Sequence, residues 1–205
     1  SFAEETAKTI LHVAIENNEM EIIKLLFQHP KLNVNILSDE EVSWSYHINK
    51  VTPLFLAVKN ENIPIIQMLL AHPKINVNKK SILSSKDKQK TALQLAVEKG
   101  SIEIVKMLLN VKNINVNVNV NDIRPLFDRS EKNKSLLHIA IDNKDVEMVG
   151  LLLETKDIDI NEMYRYTSSY GYSEDIFEDD VKEYSKILLL ISIEKQCFEI
   201  TKLLV

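Results

Sequence analysis

Apolar residues recur along this chain in short clusters with helical spacing, and the clusters come in pairs. In one pair, Leu54, Ala57 and Val58 mark the face of a first helix, and Ile65 and Leu69 mark the face of a second. The polar stretch KNEN between the two clusters argues against one long helix. Each helix is too short to be stable alone, so neighbouring pairs must stack to bury their apolar faces.

Capping residues and prolines indicate where these helices begin and end. Thr52 is placed to cap the first helix, and Pro53 fits its first turn. Pro64 lies near the start of the second helix, and Pro73 follows its end, as Pro30 does in an earlier pair. These signals predict two short helices with defined ends in each pair.

The paired pattern repeats along the chain. Four ungapped copies of 27 residues occupy residues 9–35, 52–78, 91–117 and 135–161, and a partial fifth copy occupies residues 187–205. A repeat of this kind predicts a stack in which each copy packs on its neighbours. We therefore predict a single domain over residues 1–205, an all-α helical solenoid of about five helix pairs.

The copies resemble the ankyrin repeat. The matching residues are TPLFLA from Thr52 to Ala57, SIEIVKMLL from Ser101 to Leu109, and the recurring INVN. The family's glycine between its two helices survives only as Gly100, and HPK or a similar sequence replaces the glycine after the second helix. Arrays with such HPxINVN endings look like those expanded in unicellular eukaryotes. At the position of Gly100, between the two helices, the first, second and fourth copies carry Asn18, Glu61 and Lys144.

One position in the first helix of every copy holds a small residue. A short side chain allows two helices to approach closely, so we predict that this position is buried and that a charged residue there would destabilise the stack. The residues at this position are Ala14, Ala57, Ala96, Ala140 and Ser192.

The segments between the copies are longer than the ankyrin fold requires. Successive copies begin 43, 39, 44 and 52 residues apart, whereas the usual repeat is about 33 residues long. The resemblance implies that all four segments fall where the family forms a hairpin turn, and insertions there often form the binding face. The segments are 36–51, 79–90, 118–134 and 162–186.

The four segments differ in chemistry. The first combines acids with aromatic residues, and the second carries five lysines against one aspartate. The third begins with alternating Val and Asn, which predicts an extended finger. The fourth contains seven acids and five of the six tyrosines, and its stretch SEDIFEDDVKEY is expected to form a short helix.

Aromatic residues in these segments are candidate partner contacts, because Tyr and Trp combine a large contact area with a polar tip. The alternative is that these rings fold back and pack the segments onto the helices. The candidates are Trp44, Tyr46, Tyr164, Tyr166, Tyr170 and Tyr172.

A second candidate surface follows from the resemblance, which places the ends of the first helices on the inner concave face of the family. The residue types there vary while their apolar neighbours repeat, as expected for surface residues that do not pack in the core. The alternative is an ordinary solvated face. The candidates are Lys59, Asn60, Glu98, Lys99, Asp142 and Asn143.

Composition limits the chemistry of the chain. A net charge of −5 gives no basic footprint for nucleic acid, and Cys197, the only cysteine, favours a reducing, cytoplasmic location. No apolar run is long enough for direct membrane insertion. Three scattered glycines do not form a phosphate-binding loop, and no catalytic constellation is evident. We expect a monomer without cofactor or metal.

The sequence therefore predicts a non-catalytic module that binds another protein through the inter-repeat segments and the concave helix face. One alternative is a targeting or regulatory segment of a larger enzyme. Another is a scaffold that tethers membrane or cytoskeletal proteins. The incomplete fifth copy suggests a piece of a longer protein.

Overall fold

The structure, a computed structural model, describes residues 9–41, 48–83, 88–117, 135–160, 164–168, 182–186 and 188–205. These residues form helices in pairs and strands in pairs. The helices are α1 (Ile10–Glu16), α2 (Met20–Phe27), α3 (Pro53–Lys59), α4 (Ile63–Ala71), α5 (Ala92–Glu98), α6 (Ile102–Leu109), α7 (Leu136–Asp142), α8 (Val146–Leu153), α9 (Leu188–Glu194) and α10 (Phe198–Leu204). The strands are β1 (Ser38–Glu41), β2 (Ile48–Val51), β3 (Ser81–Leu83), β4 (Lys88–Lys90), β5 (Tyr164–Ser168) and β6 (Lys182–Lys186).

The chain divides into two compact units, Ser1–Asn115 and Val116–Val205. In the first unit, α3 packs between α1 and α5, and each first helix packs on the second helix of its own pair. In the second unit, α7 packs on α9 in the same way, and α8 packs on α10. Each unit is thus a stack of helix pairs. The single domain over residues 1–205 stays a prediction.

The predicted caps form at the first helices. The Thr52 hydroxyl accepts a hydrogen bond from the amide of Phe55 at 3.1 Å, and Thr91 forms a capping box with Gln94. These bonds satisfy amides that would otherwise lack a partner at the helix start. The equivalent caps in the other complete copies are Thr9 and Ser135.

The turn between the helices of a pair keeps a left-handed backbone whichever residue occupies it. Gly100 has φ of 69°, and non-glycine residues at the same position have φ between 53° and 58°. Such a backbone disfavours a residue with a Cβ atom, so these turns carry local strain that packing must offset. The non-glycine residues are Asn18, Glu61, Lys144 and Gln196.

Replacing Lys144 by glycine is therefore expected to raise the free energy of unfolding of the second unit by about 1 kcal/mol. The gain would appear as a higher urea midpoint. Lys144→Ala removes the same charge but keeps the Cβ atom, so this control should give no gain. A lower midpoint for Lys144→Gly would contradict the account of the turn.

The recurring INVN sequence links consecutive copies. The Asn35 side chain donates from Nδ2 to the carbonyl of Lys74 at 2.7 Å, and its Oδ1 accepts from the amide of Asn76 at 2.7 Å. Asn33 closes a local turn by accepting from the Asn35 amide at 3.0 Å, while Val34 is buried. In this sequence the buried valine packs into the core, the first asparagine closes a turn, and the second asparagine bonds to the backbone of the next copy.

The bridge recurs along the chain. Asn78 donates to the carbonyl of Asn113 at 2.7 Å and accepts from the amide of Asn115 at 2.8 Å. Within the second unit, Asn117 makes the same pair of bonds to Asp157 and Asp159. These side chains hold the backbone of neighbouring copies in a fixed register.

Asn78→Ala removes both bonds of one bridge and is expected to destabilise the first unit by about 1–2 kcal/mol in urea unfolding. Asn78→Asp keeps the acceptor oxygen but turns a carboxylate oxygen toward the Asn113 carbonyl in place of the donor, so it should also destabilise the first unit. Equal stability of Asn78→Ala and the parent chain would show that the bridge contributes nothing.

The strands confirm that three of the inter-repeat segments form hairpins. The first two hairpins join into one antiparallel sheet in the order β1-β2-β3-β4, in which Lys50 lies opposite both Asp39 and Ile82. In the fourth segment, β5 pairs with β6 from Tyr164 opposite Lys186 to Ser168 opposite Lys182. The finger expected in the third segment lies outside the described residues.

The short helix expected over SEDIFEDDVKEY is wrong for its last three residues. Lys182, Glu183 and Tyr184 belong to β6 and pair with β5. The acidic residues favour helix locally, but a tyrosine-rich strand lies opposite, and cross-strand pairing overrides local preference. The remaining residues of that stretch lie outside the described part of the chain.

Two buried serines fasten the hairpins to the helix caps. The Ser38 hydroxyl accepts from the amide of Thr9 at 3.0 Å, and the Ser81 hydroxyl accepts from the amide of Thr52 at 2.9 Å. Both serines are buried. Each of these two hairpins is therefore held against the copy that precedes it.

Candidate binding surface

In the first unit, the predicted inner-face residues lie at neighbouring helix ends. Lys59 and Asn60 end α3, and Glu98 and Lys99 end α5, which packs beside α3. Lys59, Asn60 and Lys99 are exposed, and Glu98 is partly buried. The structure therefore brings these four residues onto one edge of the stack.

Two of these residues take part in ion pairs. Lys99 Nζ lies 2.9 Å from Glu61 Oε1 of the preceding copy, and Glu98 Oε2 lies 2.7 Å from Lys90 Nζ of β4. The Lys99 and Glu61 side chains are 32 % and 53 % exposed, so solvent screens that pair and it contributes little to stability, whereas the Lys90 and Glu98 side chains are only 21 % and 29 % exposed and are screened less.

In the second unit, Asp142 and Asn143 end α7. The Asp142 carboxylate lies 3.0 Å from Lys195 Nζ, which belongs to the turn after α9. Asn143 is exposed and forms the C-cap of α7. This ion pair links two copies, as the pair between Lys99 and Glu61 does in the first unit.

The aromatic candidates are only partly placed. Trp44, Tyr46, Tyr170 and Tyr172 lie outside the described residues. Tyr164 and Tyr166 lie in β5, where only the path of the backbone is described. The structure thus puts two of the six aromatic positions on a hairpin strand.

Histidines in the first helices serve structure. His12 Nδ1 lies 2.6 Å from the Thr9 hydroxyl, and its Nε2 lies 2.9 Å from the carbonyl of Val51. His138 Nδ1 makes the equivalent contact to the Ser135 hydroxyl at 2.7 Å.

Among the described residues, no group of His, Cys, Asp and Glu side chains is arranged to hold a metal ion. In the same part of the chain, no helix has the length and apolar character to cross a bilayer.

Sequence reasoning missed the residues that fasten the hairpins and the residues that connect copies. Ser38 and Ser81 occur at the same distance after INVN in their copies, which is a signal that an alignment of the copies could have revealed. The bridging role of Asn35 and Asn78 could not be read from the sequence, because their partners lie in the next copy. The recurrence of the asparagine was the only clue.

Stacked helix pairs with hairpins projecting between them define the class of helical repeat proteins. More narrowly, the chain belongs to the ankyrin repeat family. The family model described as ankyrin repeats (3 copies) matches residues 2–81 and, in an overlapping match, residues 54–164. Together these matches cover more than half of the chain.

Two solved structures are similar in fold. The crystal structure of EF0377, an ankyrin repeat protein, has a TM-score of 0.62 at 21 % identity, covering 98 % of this chain and 82 % of that chain. The ankyrin repeat domain of Bcl-3, described as a unique member of the IkappaB protein family, has a TM-score of 0.62 at 19 % identity, covering 98 % of this chain and 72 % of that one. Among curated protein sequences, none matches this chain.

These comparisons confirm the predicted family and the predicted fold class, an all-α ankyrin-type solenoid with hairpin-like loops. Ankyrin repeats act as protein–protein interaction modules, and the fold is in general not enzymatic. The chain is therefore assigned to protein binding at the level of the family.

Proposed function

We propose that the chain is a non-catalytic module that binds another protein through its inter-repeat hairpins and through the ends of its inner helices. The single observation that carries this proposal is the contrast between constant cores and variable hairpins. The helix pairs repeat the same capping, packing and bridging residues, whereas the hairpins fastened to them differ in length and charge. Variation on a constant scaffold is typical of a recognition surface.

The charges of the hairpins indicate the chemistry of the partner. β1 carries the sequence SDEE, and β4, at the other edge of the same sheet, carries KQK. The two outer strands of one sheet therefore have sequences of opposite charge. A partner with patches of both signs would match them, whereas a uniform polyanion such as nucleic acid would meet repulsion at β1.

The inner helix ends extend this surface within the first unit. Lys59 is exposed at the end of α3, beside the partly exposed pair formed by Lys99 and Glu61. Exposed charges of this kind contribute little to folding, so exchanging their present contacts for those of a partner can set the rate and specificity of association. A cytoplasmic, reducing location fits this function, and Cys197 is a free thiol.

The test is affinity capture with the purified chain from a lysate of its own source, followed by measurement of the dissociation constant for the captured protein. Lys59→Glu should weaken binding about tenfold, as expected for an interface charge reversal. The matched control is Lys24→Glu on α2, where the lysine pairs with Glu21 on the surface. Equal binding by both variants would exclude Lys59 from the interface.

A further inference from the structure

The turns that follow the second helices of the first unit carry lysines without nearby acids. Lys31, Lys74 and Lys112 lie in the turns after α2, α4 and α6, and all three side chains are exposed. The stretches 22–38, 62–83 and 104–115, which contain these turns, hold no Asp or Glu. Within the described part of the chain, none of the three lysines forms an ion pair. These three lysines are called here the basic row.

Contacts between copies place the three turns side by side. Lys74 Nζ donates to the carbonyl of Pro30 at 3.3 Å, so the second turn touches the first. The bonds from Asn78 to Asn113 and Asn115 join the second turn to the third. Since packed helices lie about 8–10 Å apart, successive turns are spaced at roughly that distance along the stack.

The backbone at the first two lysines is fixed before any partner arrives. His29 Nδ1 accepts a hydrogen bond from the Lys31 amide at 3.3 Å, and His72 Nδ1 accepts from the Lys74 amide at 3.2 Å. Binding therefore has to order only the lysine side chains and not the turns that carry them, which lowers its entropic cost.

Exposed asparagines add donors beside the lysines. Asn33 uses its Oδ1 to accept from the Asn35 amide, and Asn76 uses its Oδ1 to accept from the Asn78 amide at 3.1 Å. When the oxygen of an asparagine is fixed in this way, its Nδ2 group is the part that can donate outward. Asn33 and Asn76 are both exposed, so the turns present N–H donors as well as ammonium groups.

The fourth copy shows that the fold does not require this chemistry. Asp157 and Asp159 occupy the positions that Lys74 and Asn76 hold in the second copy. The backbone of both aspartates still bonds to the Asn117 side chain, as the equivalent backbone does in the other copies. The turn thus accepts acids at these positions, and its lysines and asparagines in the first unit are not explained by stability.

We propose that the basic row binds an acidic segment of another protein that lies extended across the three turns. The residues of this surface differ from those of the hairpins and the inner helix ends, so the two proposals stand independently. An extended chain advances about 3.3 Å per residue, so about three of its residues span the step from one turn to the next. A segment of about nine residues with a carboxylate near every third position would place one acid at each lysine.

The composition of the turns favours a chain that bears carboxylates over a bilayer or a nucleic acid. Surfaces that lie on anionic membranes combine basic residues with exposed aromatic or aliphatic side chains. None of the large apolar residues of these turns is exposed. Single-stranded nucleic acid stacks its bases on aromatic rings, and the turns 28–35, 72–78 and 110–115 contain no Phe, Tyr or Trp.

The experiment is a fluorescence anisotropy titration of the full chain with a labelled polyglutamate peptide of about 12 residues, long enough to cross all three turns. The triple variant Lys31→Gln, Lys74→Gln and Lys112→Gln should raise the dissociation constant about tenfold, the combined effect of three solvent-screened ion pairs. The matched control is Lys59→Gln with Lys144→Gln and Lys202→Gln, which makes the same change in net charge at exposed lysines elsewhere. This control should change the dissociation constant less than about twofold. Added salt should weaken binding of the parent chain.

A second variant tests the asparagine donors. Asn33→Asp with Asn76→Asp keeps the oxygen that closes each turn and turns a carboxylate toward the peptide, as the fourth copy does at Asp159. It should also raise the dissociation constant about tenfold, since two charges of the same sign as the peptide are introduced. All variants should keep the circular dichroism of the parent chain.

Three results would overturn the proposal. The first is a parent chain that does not bind the peptide, and the second is equal affinity of the triple variant and its control. The third is tighter binding of phosphatidylserine vesicles, or of a thymidine oligonucleotide of equal charge, than of the peptide, which would assign the basic row to another anion.

Discussion

Replacing Ala96 by aspartate is expected to lower the free energy of unfolding of the first unit by about 4 kcal/mol. Ala96 is fully buried in α5, as Ala57 is in α3 and Ala140 is in α7. A carboxylate there would lose its water without gaining a cation, and its extra atoms would force apart helices that pack closely. Urea unfolding followed by circular dichroism measures the change.

The last copy supplies a matched control for this prediction. It carries Ser192 at the small position, and the Ser192 hydroxyl donates to the carbonyl of Leu189 at 2.8 Å and lies 3.0 Å from the Thr201 hydroxyl. A buried hydroxyl at the small position is thus accommodated where a second hydroxyl, that of Thr201, can hydrogen-bond to it. Ala96→Ser should cost about 1 kcal/mol, and adding Val105→Thr, the equivalent of Thr201, should recover part of that loss. An Ala96→Asp variant as stable as the parent would refute the close approach of the helices.

Replacing residues 169–181 by a short Gly/Ser turn is expected to weaken binding of the protein partner by at least about 30-fold while leaving the fold intact. This segment joins β5 to β6 and contains Tyr170, Tyr172 and most of the acids of the fourth inter-repeat segment. The replacement starts at residue 169 because replacement from Tyr164 onward would remove β5 and leave β6 unpaired. Binding is measured by titration calorimetry with the captured partner.

The matched control is the same replacement in residues 84–87, which join β3 to β4. That turn lacks aromatic residues, so its replacement should change the dissociation constant less than threefold, since side chains other than aromatic anchors contribute little. Both variants should unfold at the parent urea concentration. Unchanged affinity after replacement of residues 169–181 would move the binding site to the other hairpins or to the inner helix ends.

The helix pairs could be predicted from the sequence because their signals are local. Thr52 caps α3 and Pro53 occupies its first turn as expected, and the buried alanines follow from the repeat itself. The turns at Glu61 and Lys144 show the limit of local reasoning. Neither residue favours φ above zero, yet the stacking of the flanking helices imposes the same backbone that Gly100 adopts.

Features that join different copies could not be predicted, since each depends on partners brought together only by stacking. The pairing of β2 with β3, which merges two hairpins into one sheet, belongs to this group. So do the ion pairs of Lys99 and Asp142, which sequence reasoning treated only as candidate partner contacts.

Hydrogen–deuterium exchange of the chain with and without its captured partner tests the central claim most directly. We expect slower exchange in the partner complex at the hairpin segments 36–51, 79–90 and 162–186 and at the C-terminal ends of α1, α3 and α5. Exchange in α2, α4 and α6, the second helices of the first three pairs, should remain unchanged. Protection confined to those second helices, or no protection anywhere, would contradict the proposal that this ankyrin repeat chain binds its partner through hairpins and inner helix ends.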